Sequence, residues 1–184
     1  MTTPHETPHE TPHETPHDVP HHIVFMGVSG SGKSTVARAV QERLGWEFAE
    51  GDDFHPPENV AKMSEGTPLT DADRWGWLES LAEWTAERDA RGEPTLIACS
   101  ALRKAYRDVL RRGGEGTFFV HCTGDKHMLL DRMNARDHFM PPTLLESQLA
   151  TLEPLQPDEH GMDVDPALPV ERLAAMVLAR LGLP

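Results

Sequence analysis

The stretch His22-Ile23-Val24-Phe25-Met26-Gly27-Val28-Ser29-Gly30-Ser31-Gly32-Lys33-Ser34-Thr35 decides how the rest of the chain is read. An apolar run ends at a glycine, a loop of small residues follows, and a lysine with two hydroxyls opens a helical pattern. Gly27, Gly32, Lys33 and Ser34 satisfy G-x-x-x-x-G-K-[ST] at every fixed position. Small residues let successive backbone N–H groups turn inward around an anion. The helix that starts there adds unpaired N–H groups and the positive end of its dipole. Every residue from Gly27 to Thr35 is therefore a candidate ATP contact. Lys33 would reach the β- and γ-phosphates, and the Ser34 hydroxyl would hold Mg²⁺.

Bulk composition limits the partners. The chain has 184 residues and a formal net charge of −13. An acidic protein is a poor match for nucleic acid or an anionic membrane surface, so any anion site must be built locally from a few basic residues. No apolar stretch approaches the length of a membrane span. The N-terminus is polar and acidic, unlike a secretory signal. Cys99 and Cys122 lie in apolar runs without metal-ligand spacing, which suits a reduced, cytoplasmic protein.

Residues 3–18 are four tandem copies of Thr-Pro-His-(Glu/Asp). Proline at every fourth position opposes a helix, and nothing apolar is available to bury. Residues 1–20 thus read as an unstructured tail and 21–184 as one folded domain. His5, His9, His13 and His17 with their acidic neighbours also offer a metal-capturing tract.

Beyond the loop, strand-like and helix-like segments alternate. The spacing predicts a first strand over 22–26 and a helix over 33–44, with Val36, Val40 and Leu44 on one face. A weaker strand over 46–49 delivers Gly51-Asp52-Asp53-Phe54-His55-Pro56. Short and long helices follow over 57–64 and from Thr70 to Gly92. Trp75, Leu78, Ala82 and Thr85 form one face of the long helix, widened by Trp77, Leu81 and Trp84. Runs at 95–99 and 117–120 read as strands buried on both faces. Helices are expected over a basic segment near 103–112, over 125–136, over 143–152 and at the C-terminus, with a short strand over 162–165. Strands alternating with crossover helices give an α/β fold with a parallel sheet and helices on both faces. In such folds ligands bind at the C-terminal ends of the strands.

Three constellations narrow the chemistry. Asp52 and Asp53 follow the second strand, where a carboxylate can take a proton from an acceptor hydroxyl or hold a metal through water. The strand over 95–99 ends in Cys-Ser rather than in the aspartate that often supplies a second magnesium contact, which adds weight to Asp52. Arg132 and Arg136, one turn apart beside the Pro-rich segment that contains His138, could stabilise charge on a transferred phosphoryl group. The basic segment at 103–112 offers arginine forks to an anionic acceptor.

Several longer strings occur together: Gly51-Asp52 with His55-Pro56, Lys62-Met63, Asp71 with Asp73-Arg74, Trp77-Leu78, Cys99-Ser-Ala-Leu102 with Tyr106-Arg-Asp108, His138-Phe-Met-Pro141, and Thr151-Leu-Glu-Pro154. Together with the loop they resemble the gluconokinase family over residues 22–182. One spacing departs from that pattern: a single residue, Asp137, separates Arg136 from His138, where two are expected. The resemblance implies a three-layer phosphate-loop kinase fold with a five-stranded parallel core, a lid and a substrate-binding helical segment. It implies transfer of the ATP γ-phosphoryl group to the 6-hydroxyl of D-gluconate with Mg²⁺, and a homodimer. Carried onto this chain, Asp52 becomes the base and, through water, a possible metal contact. Lys33, Arg132 and Arg136 serve the phosphoryl group. His55, Arg74, Arg107 and His138 become acceptor contacts. Another small acid such as shikimate as acceptor, and a nucleotide-binding regulator without catalysis, are the competing readings. Adenine contacts are expected around Val164-Asp165-Pro166.

Overall fold

The computed structural model describes residues 19–135 and 140–184. Five strands form one sheet: β1 (His22–Met26), β2 (Glu47–Glu50), β3 (Thr95–Ala98), β4 (Phe118–Cys122) and β5 (Gly161–Val164). Their order is β2-β3-β1-β4-β5, and every pairing is parallel. Between them run α1 (Lys33–Leu44), α2 (Pro57–Ser64), α3 (Asp71–Asp89), α4 (Lys104–Arg111), α5 (Lys126–Asn134) and α6 (Leu144–Thr151), with α7 (Val170–Leu181) last.

Side-chain alternation along the central strand separates two cores. Ile23 and Phe25 point to one face, where they meet Val36 and Val40 of α1 and Leu173 and Val177 of α7. Val24 and Met26 point to the other, against Trp77, Leu78 and Leu81 of α3, Tyr106 and Leu110 of α4, and Leu129 of α5. All five residues of β1 are buried, as expected of a strand covered on both faces. A smaller cluster of Met63, Leu69, Met140 and Leu144 joins α2 to α6.

The helix ends follow local chemistry. Thr70 and Asp73 form the capping box that the sequence suggests, with Asp73 N–H donating to Thr70 Oγ1 at 3.3 Å and Thr70 N–H to Asp73 Oδ2 at 2.9 Å. Asp125 caps α5 by accepting from the N–H groups of His127 and Met128.

One expectation about helix faces changes. Trp75 does not join the core face of α3: it is 37% exposed, while Trp77 is 2% exposed. One helical step of 100° separates adjacent side chains, and the buried stripe runs through Trp77, Leu78, Leu81, Ala82 and Thr85. The segment after β2 is a 3₁₀ turn (Gly51–Phe54), which holds Asp52 in place. Within the basic segment, Arg107 is fully buried.

Candidate active site

At the C-terminal ends of β1, β2 and β3, the phosphate loop faces a cleft. Its lining includes Ser29 and Lys33 of the loop, Asp52 and His55 after β2, Arg74 and Trp77 of α3, Ser100 after β3, and Ser147 and Gln148 of α6.

The loop is shaped by glycine. Gly27, Gly30 and Gly32 all have positive φ, at 144°, 79° and 84°. A Cβ at Gly27 would stand 2.7 Å from both the Cys122 carbonyl oxygen and Ser31 Oγ, so the turn excludes any side chain there. Gly32 caps α1 without a side-chain acceptor, which leaves the first-turn amides open to an anion. Ser31 Oγ is buried and has no hydrogen-bond partner among the described residues. A buried hydroxyl without a partner is costly. Together with the open amides it marks a cradle complementary to phosphate oxygens. Lys33 Nζ folds back over the loop, 3.5 Å from the Val28 carbonyl oxygen.

Acidic groups sit opposite. Ser34 Oγ donates to Glu50 Oε1 at 2.9 Å. Burial pushes the Glu50 carboxyl above its usual range, and the negative charge of Asp52 adds to this against the Ser34 hydrogen bond. Glu50 was not singled out by sequence reasoning. Its signal was a carboxylate at the C-terminal end of a strand, where ligands bind in parallel α/β sheets. The hydroxyl of Ser34 and the carboxylates of Glu50 and Asp52 are hard oxygen donors of the kind Mg²⁺ takes.

On the acceptor side, His55 stacks on Trp77 with ring centroids 4.0 Å apart and planes at 20°. Trp77 Nε1–H donates to the Gly51 carbonyl oxygen at 2.7 Å, tying α3 to the Asp52 turn. The Asn59 amide donates to His55 Nδ1 at 3.4 Å, and His55 Nε2 lies 3.9 Å from Asp52 Oδ1. Burial lowers the His55 pKa to about 4, so the ring is neutral near pH 7. The Ser29 N–H donates to Gln148 Oε1 at 2.7 Å, linking the phosphate loop to α6. Gln148 was also missed, because the contact spans most of the chain.

Lys33, Asp52, His55 and Arg74 thus share one cleft. Arg132 belongs beside the loop, since a Cβ on Gly32 would lie 3.4 Å from Arg132 Nη1. Its Nη2 donates to the Pro166 carbonyl oxygen at 2.6 Å, next to Val164 and Asp165. Arg136 and His138 lie outside the described residues, as do His5, His9, His13 and His17 of the tail.

Arg107 requires a correction. Its guanidinium donates to Glu159 through Nε and Nη2, both at 2.7 Å, and to the carbonyl oxygens of Ala101, Leu102, Glu153 and Pro154. With 0% exposure and its donors engaged, it braces the β3–α4 turn behind the cleft and has no N–H to offer an acceptor.

Comparisons with known proteins fit this geometry. A family model described as an AAA domain matches residues 23–155. A gluconokinase from Gluconobacter oxydans is 51% identical over 138 residues, which cover 74% of this chain and 78% of the relative. The chain belongs to the gluconokinase family. A crystal structure of a gluconokinase from Sinorhizobium meliloti superposes with a TM-score of 0.79 at 49% identity, covering 89% of this chain and 94% of that one. A shikimate kinase from Aquifex aeolicus, at 17% identity and a TM-score of 0.55 over 88% of this chain and 96% of the other, shares the fold. The resemblance read from the residue strings is therefore borne out, and so is the three-layer kinase fold. Among the described residues no helix is long and apolar enough to cross a membrane.

Proposed function

We propose that this chain transfers the γ-phosphoryl group of ATP to the 6-hydroxyl of D-gluconate, giving 6-phosphogluconate and ADP. The observation that carries the reading is the convergence of Lys33, Asp52 and Arg74 on one cleft. The cradle from Gly27 to Thr35 holds the phosphates through backbone N–H groups, and Lys33 stabilises the charge on the transferred group. Asp52 takes the proton of the 6-hydroxyl. The hydroxyl oxygen bonds to the γ-phosphorus, the bond from that phosphorus to the bridging oxygen breaks, and ADP leaves with the electron pair. Ser34, with Glu50 and Asp52 nearby, would hold Mg²⁺, which would supply positive charge against the phosphates. Arg74 grips the gluconate carboxylate, and the neutral His55 ring orients a sugar hydroxyl. Arg132 supplies positive charge beside the loop. The reading includes a homodimer, tested by sedimentation, and a cytoplasmic enzyme, where ATP is abundant and Cys99 and Cys122 stay reduced.

The deciding experiment is coupled ADP release over a panel of sugar acids. Turnover should be fastest with D-gluconate, and turnover confined to another acid would overturn the assignment. Lys33→Ala should lower kcat by on the order of 10²-fold or more. Asp52→Asn should lower kcat with ATP affinity kept within a few-fold; a collapse of ATP affinity would make Asp52 a metal contact instead of the base.

A further inference from the structure

Lys33 and Arg74 bring positive charge to the cleft among the described residues that line it. Lys33 belongs to the phosphate loop, which leaves Arg74 as the cation on the acceptor side. Its side chain is 12% exposed. A guanidinium carries five N–H donors. One of Arg74's goes to the Tyr106 hydroxyl oxygen, with Nη1 at 3.0 Å. The carboxylate of Asp71 stands 3.9 Å from that same nitrogen, too far for a hydrogen bond.

Tyr106 lies between the two charges. Its hydroxyl donates to Asp71 Oδ1. The other Asp71 oxygen accepts from Arg103 Nη1 at 3.1 Å, which holds the carboxylate in place. The Tyr106 ring is buried, with Trp75 packed edge-on at 5.5 Å and the Arg74 guanidinium carbon 5.4 Å from the ring centroid. Because the hydroxyl donates its hydrogen to Asp71, the oxygen lone pairs are turned to Arg74. A direct Asp71–Arg74 fork would consume two donors and cancel the charge. An interposed hydroxyl anchors the guanidinium through one donor, keeps the Asp71 carboxylate 3.9 Å away and leaves the remaining donors for a planar anion in the cleft.

We propose that Tyr106, oriented by Asp71, is a positioning residue that presents Arg74 to the carboxylate of the acceptor and so sets the preference for a sugar acid over its uncharged counterpart. The inference rests on the role given to Arg74 above. It is tested on the full chain with D-gluconate and its neutral amide, D-gluconamide, compared by their ratio of kcat/KM. Tyr106→Phe keeps the ring and removes the anchor. Its KM for gluconate should rise about tenfold, with kcat within about twofold, KM for ATP unchanged, and the acid-to-amide preference down about tenfold. Wild-type preference in Tyr106→Phe overturns the inference. An equal loss for acid and amide also overturns it, since that is what a merely structural tyrosine would give. Asp71→Asn should lower the preference in the same direction by a few-fold, and it carries the test should Tyr106→Phe fail to fold. Arg74→Met separates the two layers of the reading. If it keeps the acid preference, the assignment of Arg74 falls. If it loses the preference while Tyr106→Phe keeps it, Arg74 stands and the positioning role falls.

Discussion

The start of α3 and the brace behind α4 each hold an arginine, and the two are used in opposite ways. Among the described residues Arg74 makes one side-chain hydrogen bond, to a neutral hydroxyl, has Asp71 3.9 Å away, and faces the cleft. Arg107 bonds a carboxylate and four backbone carbonyl oxygens and is sealed from solvent. The side chains are chemically identical. What separates a binding residue from a structural one is how many donors are already committed, and that depends on which acceptors the fold brings near.

The largest effect expected from this contrast is on stability at the brace. Arg107→Met leaves Glu159 buried with fewer partners and frees four carbonyl oxygens, which should cost about 3–5 kcal/mol. Thermal or urea unfolding measures this, while KM for gluconate in the folded variant stays at the wild-type value. A raised KM at unchanged stability would erase the distinction. Arg74→Met should do the converse: kcat/KM for gluconate falls on the order of 10²-fold, the melting temperature holds, and ATP affinity is kept.

Acid sharpens the contrast further. Burial alone would raise the Glu159 carboxyl, but hydrogen bonds from Arg107, the Gln156 N–H and Arg111 outweigh it and hold the pKa at about 2, below the 4.5 of an unperturbed group. A depressed carboxyl stabilises the fold fully above about pH 4.5, and that contribution is lost as pH falls towards 2. Melting temperatures between those limits should fall less steeply for Glu159→Gln than for the wild type. The smallest effect is a control. Arg43 pairs with Glu171 at 3.0 Å on the outer surface, joining α1 to α7. Arg43→Ala should change stability by less than about 1 kcal/mol and leave turnover alone.

Legibility in the sequence follows the range of the interactions. The shape of the phosphate loop was readable, because its backbone conformation and helix end are set by nine consecutive residues. Among the described residues helices separate the five strands as the hydrophobic pattern indicates, and the Thr70 capping box is local as well. Asp52, His55 and Arg74 were named from the residue strings, and they do share the cleft. Arg107 was misread because its partner, Glu159, lies in a segment that reads as plain loop, and no periodicity joins position 107 to 159. Glu50 escaped because it closes a weak strand whose alternation is only four residues long. Gln148 reaches Ser29 across almost the whole domain. Trp75 and Trp77 differ by two positions, and only the packing of α3 against the sheet tells which is inside.

The strand order has a consequence for how the protein comes into being. β1, which carries the phosphate loop, pairs with β3 and β4 and with no strand adjacent to it in sequence. During synthesis β1 therefore has no strand partner until Thr95–Ala98 has left the ribosome, and its other edge waits for Phe118–Cys122. Its pairings are non-local, and such sheets close slowly. The phosphate loop, written early in the sequence, thus gains its neighbours at Cys122 and Gln148 only late in the life of the growing chain.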